Sequence, residues 1–374
     1  MRSELRERDF ESFFRVPFVC YGDATPYVSP MKSDLRRYLD GARNPLFRSN
    51  GDFTFFTMHQ EGKPVGRIVA HVHHESNRIH GLRRSYFGFF DCIDDIEVAR
   101  TLLAGAEEWG RRRGHEELAG NFNLTAMQQV GVLIEGFESQ PYTDMQFNPP
   151  HIPRLLAACG FEPFFPMWTF ELALGRFDPE MLLGPKQRAL FADPAFRFER
   201  LTRRGFKRLM SDTRRVLNES FARNPMFVPL TEAEFLFQAH EMMWIVDERI
   251  CSSIVYHEGD PAGVCVCIPD LNPFLRDTRS RIRLGTPWHF LRHRLRRRRA
   301  LIIFYGVRPE LQNRGLNGAM LYKLTTSLKQ ARYEPLGVTW ISDLNAASLR
   351  QTERLGARRL HRLCLFRKPI ASGA

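Results

Sequence analysis

The stretch from 300 to 330 constrains the fold most, because it joins an apolar strand to an amphipathic helix through one short turn. Continuous apolar residues predict a buried strand over Leu301–Val307. The segment Gly315–Gln330 is predicted to be a helix. Its apolar positions recur at helical spacing: Leu316, Ala319, Met320, Leu324 and Leu328. The stretch therefore predicts a strand–turn–helix unit of an α/β protein.

The turn carries the residues Gln312-Asn-Arg-Gly-Leu-Asn-Gly318, with two glycines beside Arg314 at the helix start. The first N–H groups of a helix have no partner within it, and the helix dipole is positive at that end, so anions bind there. Glycine lets a phosphate approach the backbone closely. The sequence of this turn predicts a phosphate-binding site, called the seat below. The alternative is an ordinary structural turn.

The amino-acid composition indicates the cellular compartment of the protein and the kind of partner that it binds. The 374 residues are enough for two or three domains, and the net charge of +12 favours an anionic partner. Nucleic acid, an anionic membrane surface and a phosphorylated small molecule all fit that charge. Seven cysteines without a CxxC pair predict a reducing cytosol, with no disulfide framework and no metal site. The amino-terminal residues lack an apolar signal core, and the run 300–307 is far shorter than the roughly 20 residues that span a bilayer.

The two halves of the chain repeat a coarse order of strands and helices. In the first half, strands are predicted over Phe53–His59, Val65–His73 and Ser85–Phe90, before an amphipathic helix over Ile96–Arg113. The second half has a hairpin around Gly259-Asp-Pro261, followed by the unit at 300–330. The predicted fold class is α/β (α+β). The predicted division is a first domain at 1–172, a connection at 173–198 and a second domain at 199–374.

Residues 301–366 resemble the core of the GNAT superfamily of acyl-CoA-dependent N-acyltransferases. The family motif at the helix start is Gln/Arg-x-x-Gly-x-Gly/Ala, and Gln312–Asn317 matches it except that Asn317 replaces a small residue. The next family marker is an asparagine that leads a helix ending in glycine. Asn345, Ser348, Leu349, Gly356 and Ala357 match that marker. Thr352 stands where many members carry a tyrosine acid, so that role does not transfer.

The resemblance implies two GNAT-like domains, each with a mixed, mainly antiparallel sheet flanked by helices. It implies acyl-CoA as a co-substrate, no permanently bound cofactor and no metal. The residues implied to hold acyl-CoA are Gly306, Val307, Gln312, Asn313, Arg314, Gly315, Leu316, Asn317, Gly318, Asn345 and Ser348. The corresponding helix of the first half follows Asp91, Asp94 and Asp95, whose carboxylates repel a diphosphate. The working site is therefore predicted in the second half, with the first as a degenerate copy.

A narrower resemblance covers most of the chain. The segments Gly88–Asp95, Leu133–Phe137, Asn148–Pro150 and Ile268–Asn272 are similar to a bacterial group that includes bacterial ceramide synthases. This resemblance implies transfer of a fatty acyl group to the amine of a sphingoid base or similar long-chain amine. Acetyl transfer to a small polar or protein amine remains an alternative, as does a non-catalytic protein that binds acyl-CoA.

The chemistry of acyl transfer needs few catalytic groups. A thiol with a pKa of about 8.5 leaves readily as a thiolate, so a strong acid is dispensable. Tyr305, next to the predicted turn, is a candidate acid, and a structural core residue is its alternative role. An amine near neutral pH is mostly protonated, so a base is expected. Asp270 is the candidate base, and a turn residue is its alternative role.

Residues 287–299 carry six arginines and no acid, with Trp288, Leu291 and Leu295 near one helical face. A basic amphipathic helix is typical of a membrane-surface element, and a solvated basic face is the alternative. No nucleic-acid-binding motif is present, so no nucleic acid partner is expected. The predicted location is the cytoplasm, with peripheral attachment to the inner membrane as an option.

Overall fold

A computed structural model describes residues 3–22, 25–239 and 242–371. Strands and helices are interspersed along the chain up to residue 173. They are β1 (Ser3–Glu7), α1 (Phe10–Tyr21), α2 (Lys32–Tyr38), β2 (Gly51–Gln60), β3 (Lys63–His73), α3 (His74–His80), β4 (Arg84–Cys92), α4 (Ile96–Arg111), β5 (Glu117–Gly120), β6 (Val132–Glu135), α5 (His151–Ala158) and β7 (Glu162–Ala173). Glu61 and Gly62 form the turn between β2 and β3, both with positive φ, and the two predicted strands pair as an antiparallel hairpin.

The remaining elements begin with a helix inside the predicted connection. They are α6 (Pro185–Ala192), β8 (Phe196–Arg200), α7 (Phe206–Ser220), α8 (Glu232–Ala239), α9 (Met242–Ile245), β9 (Ser253–His257), β10 (Asp260–Pro269), α10 (Asn272–Asp277), α11 (Thr286–Arg296), β11 (Ala300–Val307), α12 (Leu316–Gln330), β12 (Pro335–Ser342), α13 (Ala346–Arg354) and β13 (Arg358–Pro369). The predicted strand–turn–helix unit is therefore β11–α12.

One sheet contains all thirteen strands of the described residues. Its order is β1-β2-β3-β4-β5-β13-β7-β12-β11-β10-β9-β8, and β6 pairs with β13. Only β4 with β5 and β11 with β12 run parallel, and a helix connects the two strands of each of these pairs. The other pairings are antiparallel, so the predicted mixed, mainly antiparallel fold is confirmed.

Each half places its last strand beside strands of the other half. β7, from the first half, pairs with β12 through Leu172 and Leu336. β13, the last strand of the chain, pairs with β5 through Phe366 and Gly120. The two exchanged strands also pair with each other at the centre of the sheet. The division at 172 and 199 stays a prediction, because the sheet itself is continuous.

Helices cover the sheet where the parallel strands lie. α4 buries Val98, Leu102 and Trp109 in a core shared with β3 and β4. α12 buries Leu316, Met320 and Leu324 in a second core, with residues of β10 and β11. α12 thus follows the predicted apolar spacing, and α4 is amphipathic, as predicted. Both helices begin at the end of the sheet where the C-termini of the parallel strands lie. The candidate site is at this end.

Candidate active site

The central feature of the site is a cleft between β11 and β12. The parallel pairing covers three positions, from Ala300 opposite Leu336 to Ile302 opposite Val338. Both strands continue beyond these pairs, to Val307 and Ser342. The edge of β11 that faces β12 has no strand partner past Ile302 among the described residues. The strands therefore diverge, and backbone groups along the cleft are available to an extended ligand.

The cleft opens into a large cavity of about 1010 Å³. Small-molecule pockets usually measure roughly 300–1,000 Å³, so this cavity is at the upper end of that range. Its walls are predominantly apolar and come from both halves of the chain. The first half contributes Phe89 and Met127, and the second contributes Phe235, Phe304 and Trp340. Such a cavity can hold a long apolar group.

The N-terminus of α12 lies at the end of the cleft and has the features of an anion seat. Gly315 precedes the helix with φ at +100°, a conformation that favours glycine. No side chain caps the helix start. Gln312, Asn313 and Arg314 are exposed on the turn before it. An anion can therefore reach both the first N–H groups of the helix and a neighbouring guanidinium.

The helix α6 packs against the same turn, which the sequence did not indicate. Gln187 Nε2 donates to the Gly315 carbonyl at 3.4 Å, and Lys186 Nζ donates to the Asn313 carbonyl at 3.3 Å. A Cβ atom at Gly318 would lie 2.8 Å from Gln187 Nε2. Both glycines thus pack closely against α6, and Lys186 adds a cation beside the seat.

The equivalent seat in the first half is closed by its own carboxylates. Asp95 caps α4, its side chain accepting from the N–H groups of Glu97 at 2.8 Å and Val98 at 3.4 Å. Asp94 forms an ion pair with Arg154 at 2.6 Å. Because the first N–H groups of α4 are occupied and acidic groups surround them, this helix start disfavours a phosphate.

The equivalent cleft in the first half is also filled. Beyond the parallel pairs of β4 and β5, Asn121 Oδ1 accepts from Phe90 N–H at 3.1 Å. Asn123 Oδ1 accepts from Phe89 N–H at 2.6 Å. These two amides bond the backbone groups of β4 that the diverging strands would otherwise expose. The asymmetry between the halves thus involves both the cleft and the helix start.

Tyr305 lines the cavity and is linked to the helix start. Its hydroxyl donates to the Asn317 carbonyl at 3.0 Å. Burial raises the pKa of this phenol well above its ordinary value, so it stays protonated at neutral pH. Nearby, Val307 and Gln312 are joined by a hydrogen bond from Gln312 Nε2 to the Val307 carbonyl at 3.3 Å. Gly306 packs closely against Ser220, whose Oγ would lie 2.9 Å from a Cβ there.

Asn345 and Ser348 also line the cavity, at the start of α13. Asn345 Oδ1 accepts from Ser348 N–H at 3.1 Å and so caps the helix. Thr352, one turn later, donates its hydroxyl to the Ser348 carbonyl at 2.8 Å. These residues line the cavity on the side of α13, and their role in holding acyl-CoA stays a prediction.

Asp270 does not belong to the cavity wall. It is buried at the end of β10, where one carboxylate oxygen accepts from the N–H and hydroxyl of Thr143, at 3.0 and 2.9 Å. Its other oxygen forms an ion pair with Arg299 at 3.0 Å. Asp270 thus joins the two halves, and these contacts make it a structural residue rather than a base facing a substrate.

Asp144 is the carboxylate that the sequence analysis missed. It lines the cavity from the first half, with φ at +58°, and no hydrogen bond or ion pair reaches it within the described residues. Its neighbours Tyr142 and Met145 pack with Leu301, one residue before the cleft opens. The Asp144 side chain is exposed within the cavity, and desolvation by the surrounding protein raises its pKa to about 6. Its segment has no regular pattern, so only the fold brings it to the site.

Comparison with known proteins defines the class. The model of the acetyltransferase (GNAT) family matches residues 208–357. A tandem GNAT protein from the clavulanic acid biosynthesis pathway has a TM-score of 0.61 and 11% identity, and each chain covers 100% of the other. A GCN5-related N-acetyltransferase from Sphaerobacter thermophilus has a TM-score of 0.54 and 16% identity, over 100% of this chain and 97% of that one. Residues 208–357 match the GNAT family model, and the whole chain has the same fold as the tandem GNAT protein, as predicted.

Two curated proteins are similar along most of the chain. Protein YghO of Escherichia coli (strain K12) is 25% identical over 381 residues, 99% of this chain and 95% of that protein. Bacterial ceramide synthase of Caulobacter vibrioides (strain NA1000 / CB15N) is also 25% identical, over 362 residues, 93% of this chain and 91% of that protein. The resemblance to the bacterial ceramide synthase group is therefore confirmed as a distant similarity. Among the described residues, no helix is both long and apolar enough to cross a membrane.

Proposed function

We propose that the protein is an acyl-CoA-dependent N-acyltransferase that transfers a fatty acyl group to a sphingoid base or similar long-chain amine in the cytoplasm. The observation that carries the proposal is the apolar cavity of about 1010 Å³ continuous with the cleft between β11 and β12. An acetyl group needs no such volume, whereas two alkyl chains do. The similarity to a bacterial ceramide synthase supports the same substrate class.

The proposed cofactor seat follows the residues from the cleft to the helix start. The diphosphate of CoA lies at 312–318, where N–H groups, Arg314 and Lys186 fit its charge. The pantetheine arm runs along the free edge of β11 at Tyr305–Val307, with Asn345 and Ser348 on the opposite wall. This path directs the thioester towards the point where the strands separate and the acyl chain towards the cavity.

The proposed chemistry uses Asp144 and Tyr305. The amine nitrogen attacks the thioester carbonyl, forms the C–N bond and loses one proton to the Asp144 carboxylate. Collapse of the tetrahedral intermediate breaks the C–S bond and releases CoA thiolate, which takes up one proton, so the products are an amide and the CoA thiol. Burial keeps the phenol of Tyr305 protonated but makes it a weaker acid. On turning from the Asn317 carbonyl, this hydroxyl therefore serves as a hydrogen-bond donor to the departing sulfur, while the proton that the thiolate takes up comes from solvent.

Acyl chain length distinguishes this proposal from the second candidate, acetyl transfer to a small polar amine, which the family model's description favours. The purified protein is assayed with acetyl-, octanoyl- and palmitoyl-CoA, each against sphinganine and against glucosamine. We expect kcat/KM to rise with chain length and to be highest for palmitoyl-CoA with sphinganine. Turnover only with acetyl-CoA and glucosamine would favour the second candidate, and CoA binding without any product would favour a non-catalytic protein.

Arg314→Glu tests the diphosphate seat without disturbing the glycines that α6 contacts. Arg314 is exposed, and we expect this charge reversal to weaken CoA binding roughly ten- to a hundredfold, since charge-assisted hydrogen bonds contribute about 1.5–3 kcal/mol. Calorimetric titration with CoA measures the effect. The matched control is Arg332→Glu, an exposed arginine at the other end of α12. Equal affinities in the two variants would move the diphosphate away from this turn.

A further inference from the structure

Large apolar side chains are exposed at the wall of the cavity. Trp244 is 63% exposed, and Ile282 and Leu344 are each 71% exposed, yet all three line the cavity. They come from α9, from the loop before α11 and from the loop before α13. Residues that are both cavity-lining and exposed mark the mouth of a cavity. The mouth is thus rimmed by side chains that favour an apolar surrounding.

The helix α11 lies beside this mouth and has apolar residues on two opposite faces. Its inner face packs on Phe274, through Phe290 at a ring distance of 5.5 Å and His293 at 6.2 Å. Its outer face presents Trp288, Leu291 and Leu295, which are exposed. Their spacing of three and four residues places them on one stripe. No described element covers that stripe.

The stripe is flanked by arginines without acidic partners. Residues 276–299 contain ten arginines and a single acid, Asp277. Seven of these arginines are exposed. The side chains of five of the seven form no hydrogen bond or ion pair with another described residue: Arg283, Arg292, Arg294, Arg296 and Arg298. Exposed arginines elsewhere are commonly paired, such as Arg111 with Glu108 and Arg358 with Glu171 at 2.8 Å. This surface therefore needs its counter-charges from outside the chain.

We propose that α11 and the preceding loop dock on an anionic lipid bilayer, with the cavity mouth at the membrane surface as the entry for the long-chain substrate. Arginines bind the anionic headgroups, while Trp288, Leu291 and Leu295 enter the interface. A polynucleotide matches the charge but leaves the apolar stripe exposed, so the bilayer is the better partner. Substrate entry rests on the proposed function, whereas docking does not.

Vesicle binding by the full chain tests the charge. The vesicles are phosphatidylcholine with about one third phosphatidylglycerol, and co-sedimentation gives the partition coefficient. Each surface cation contributes about fivefold to binding, so Arg292→Gln/Arg294→Gln/Arg296→Gln is expected to lower the coefficient by about 100-fold. The matched control removes the same charge elsewhere, as Arg204→Gln/Arg332→Gln/Arg350→Gln, and is expected to bind as the native protein does. Equal losses in both variants would overturn the proposal in favour of net charge alone.

A second variant tests the apolar stripe. Trp288→Ser/Leu291→Ser/Leu295→Ser is expected to lose binding at high salt, where charge attraction is screened. The control Val19→Ser/Ile79→Ser/Met181→Ser removes exposed apolar residues elsewhere. The docking proposal would be overturned if the wild-type protein did not bind the anionic vesicles, or if it bound a DNA duplex instead. Turnover of a water-soluble short-chain amine is measured in parallel, so loss of docking and failure of the proposed acyltransferase activity give separate results.

Discussion

Asp144→Asn is expected to lower kcat about 100- to 1000-fold while the protein stays folded and binds CoA normally. General-base catalysis contributes typically 10²–10⁴-fold, and the amide keeps the shape of the carboxylate but cannot accept the amine proton. Steady-state kinetics with palmitoyl-CoA and sphinganine measure kcat, and titration with CoA measures binding. A variant that turns over normally would remove Asp144 from the mechanism.

The pH dependence gives this prediction a second readout. The base must be ionised, and the pKa of Asp144 in the free protein is raised to about 6, so kcat/KM of the native protein is expected to fall as pH drops through about 6. That decline should disappear in the residual activity of Asp144→Asn. The raised pKa also means that ionisation disfavours the folded state as pH rises from the unfolded value of about 3.9 to about 6. The variant is therefore expected to be no less stable than the native protein at pH 7.

The matched control is the second carboxylate that lines the cavity. Asp34, at the start of α2, faces the same cavity from the first half. Asp34→Asn removes the same charge from the cavity wall without removing the proposed base. We expect near-native kcat and an unchanged pH profile for this variant. A similar loss of kcat in both variants would point to the electrostatic potential of the cavity as a whole, not to proton transfer by Asp144.

Asp91→Ala is expected to lower the free energy of unfolding by about 3–5 kcal/mol, the usual effect of leaving a buried charge without its partner. Arg67 is 1% exposed and Asp91 is 3% exposed. The Arg67 guanidinium donates to Asp91 at 2.7 Å, to the Phe13 carbonyl at 3.1 Å and to the Tyr27 hydroxyl at 3.0 Å. Urea unfolding followed by tryptophan fluorescence measures the change.

Two controls separate burial from charge. Asp94→Ala breaks the exposed pair with Arg154 and is expected to cost less than about 1 kcal/mol, because solvent screens surface pairs. Arg67→Met/Asp91→Leu replaces both charges by apolar groups and is expected to regain most of the lost stability. If Asp91→Ala unfolded no more easily than Asp94→Ala, the buried pair would have little role in holding α1 against β3 and β4.

Local patterns predicted the elements that position the candidate site. The strand and helix around the turn at 312–318 follow from apolar periodicity, and β11 and α12 match them within a residue or two. The acidic start of α4 also followed directly from Asp94 and Asp95. The closed cleft of the first half did not, because it depends on where the amides of Asn121 and Asn123 point after folding.

Contacts between distant segments could not be predicted in this way. β7 was missed because Pro163 and Pro166 are unfavourable inside a strand. The fold tolerates Pro166 where the register with β13 shifts, and Pro163 is the second residue of the strand. α6 was predicted to be part of a connection because its residues lack a clear apolar period. This fits the structure, in which only Leu190 of this helix is buried. Asp144 has no pattern around it at all, and Asp270 looked equally suitable until its bonds to Thr143 and Arg299 were known. Choosing between these carboxylates requires the tertiary structure.

The exchange of β7 and β13 gives the first half a structural role that does not depend on binding CoA. A redundant module can normally be deleted from a gene without harm to the remaining module. Here β13, the terminal strand of the second half, lies between β5 and β7, both made by the first half. Deletion of the first half would leave a long β-hydrogen-bonding edge open to aggregation. The second half therefore depends on the backbone of the first half, whatever chemistry the side chains of the first half retain.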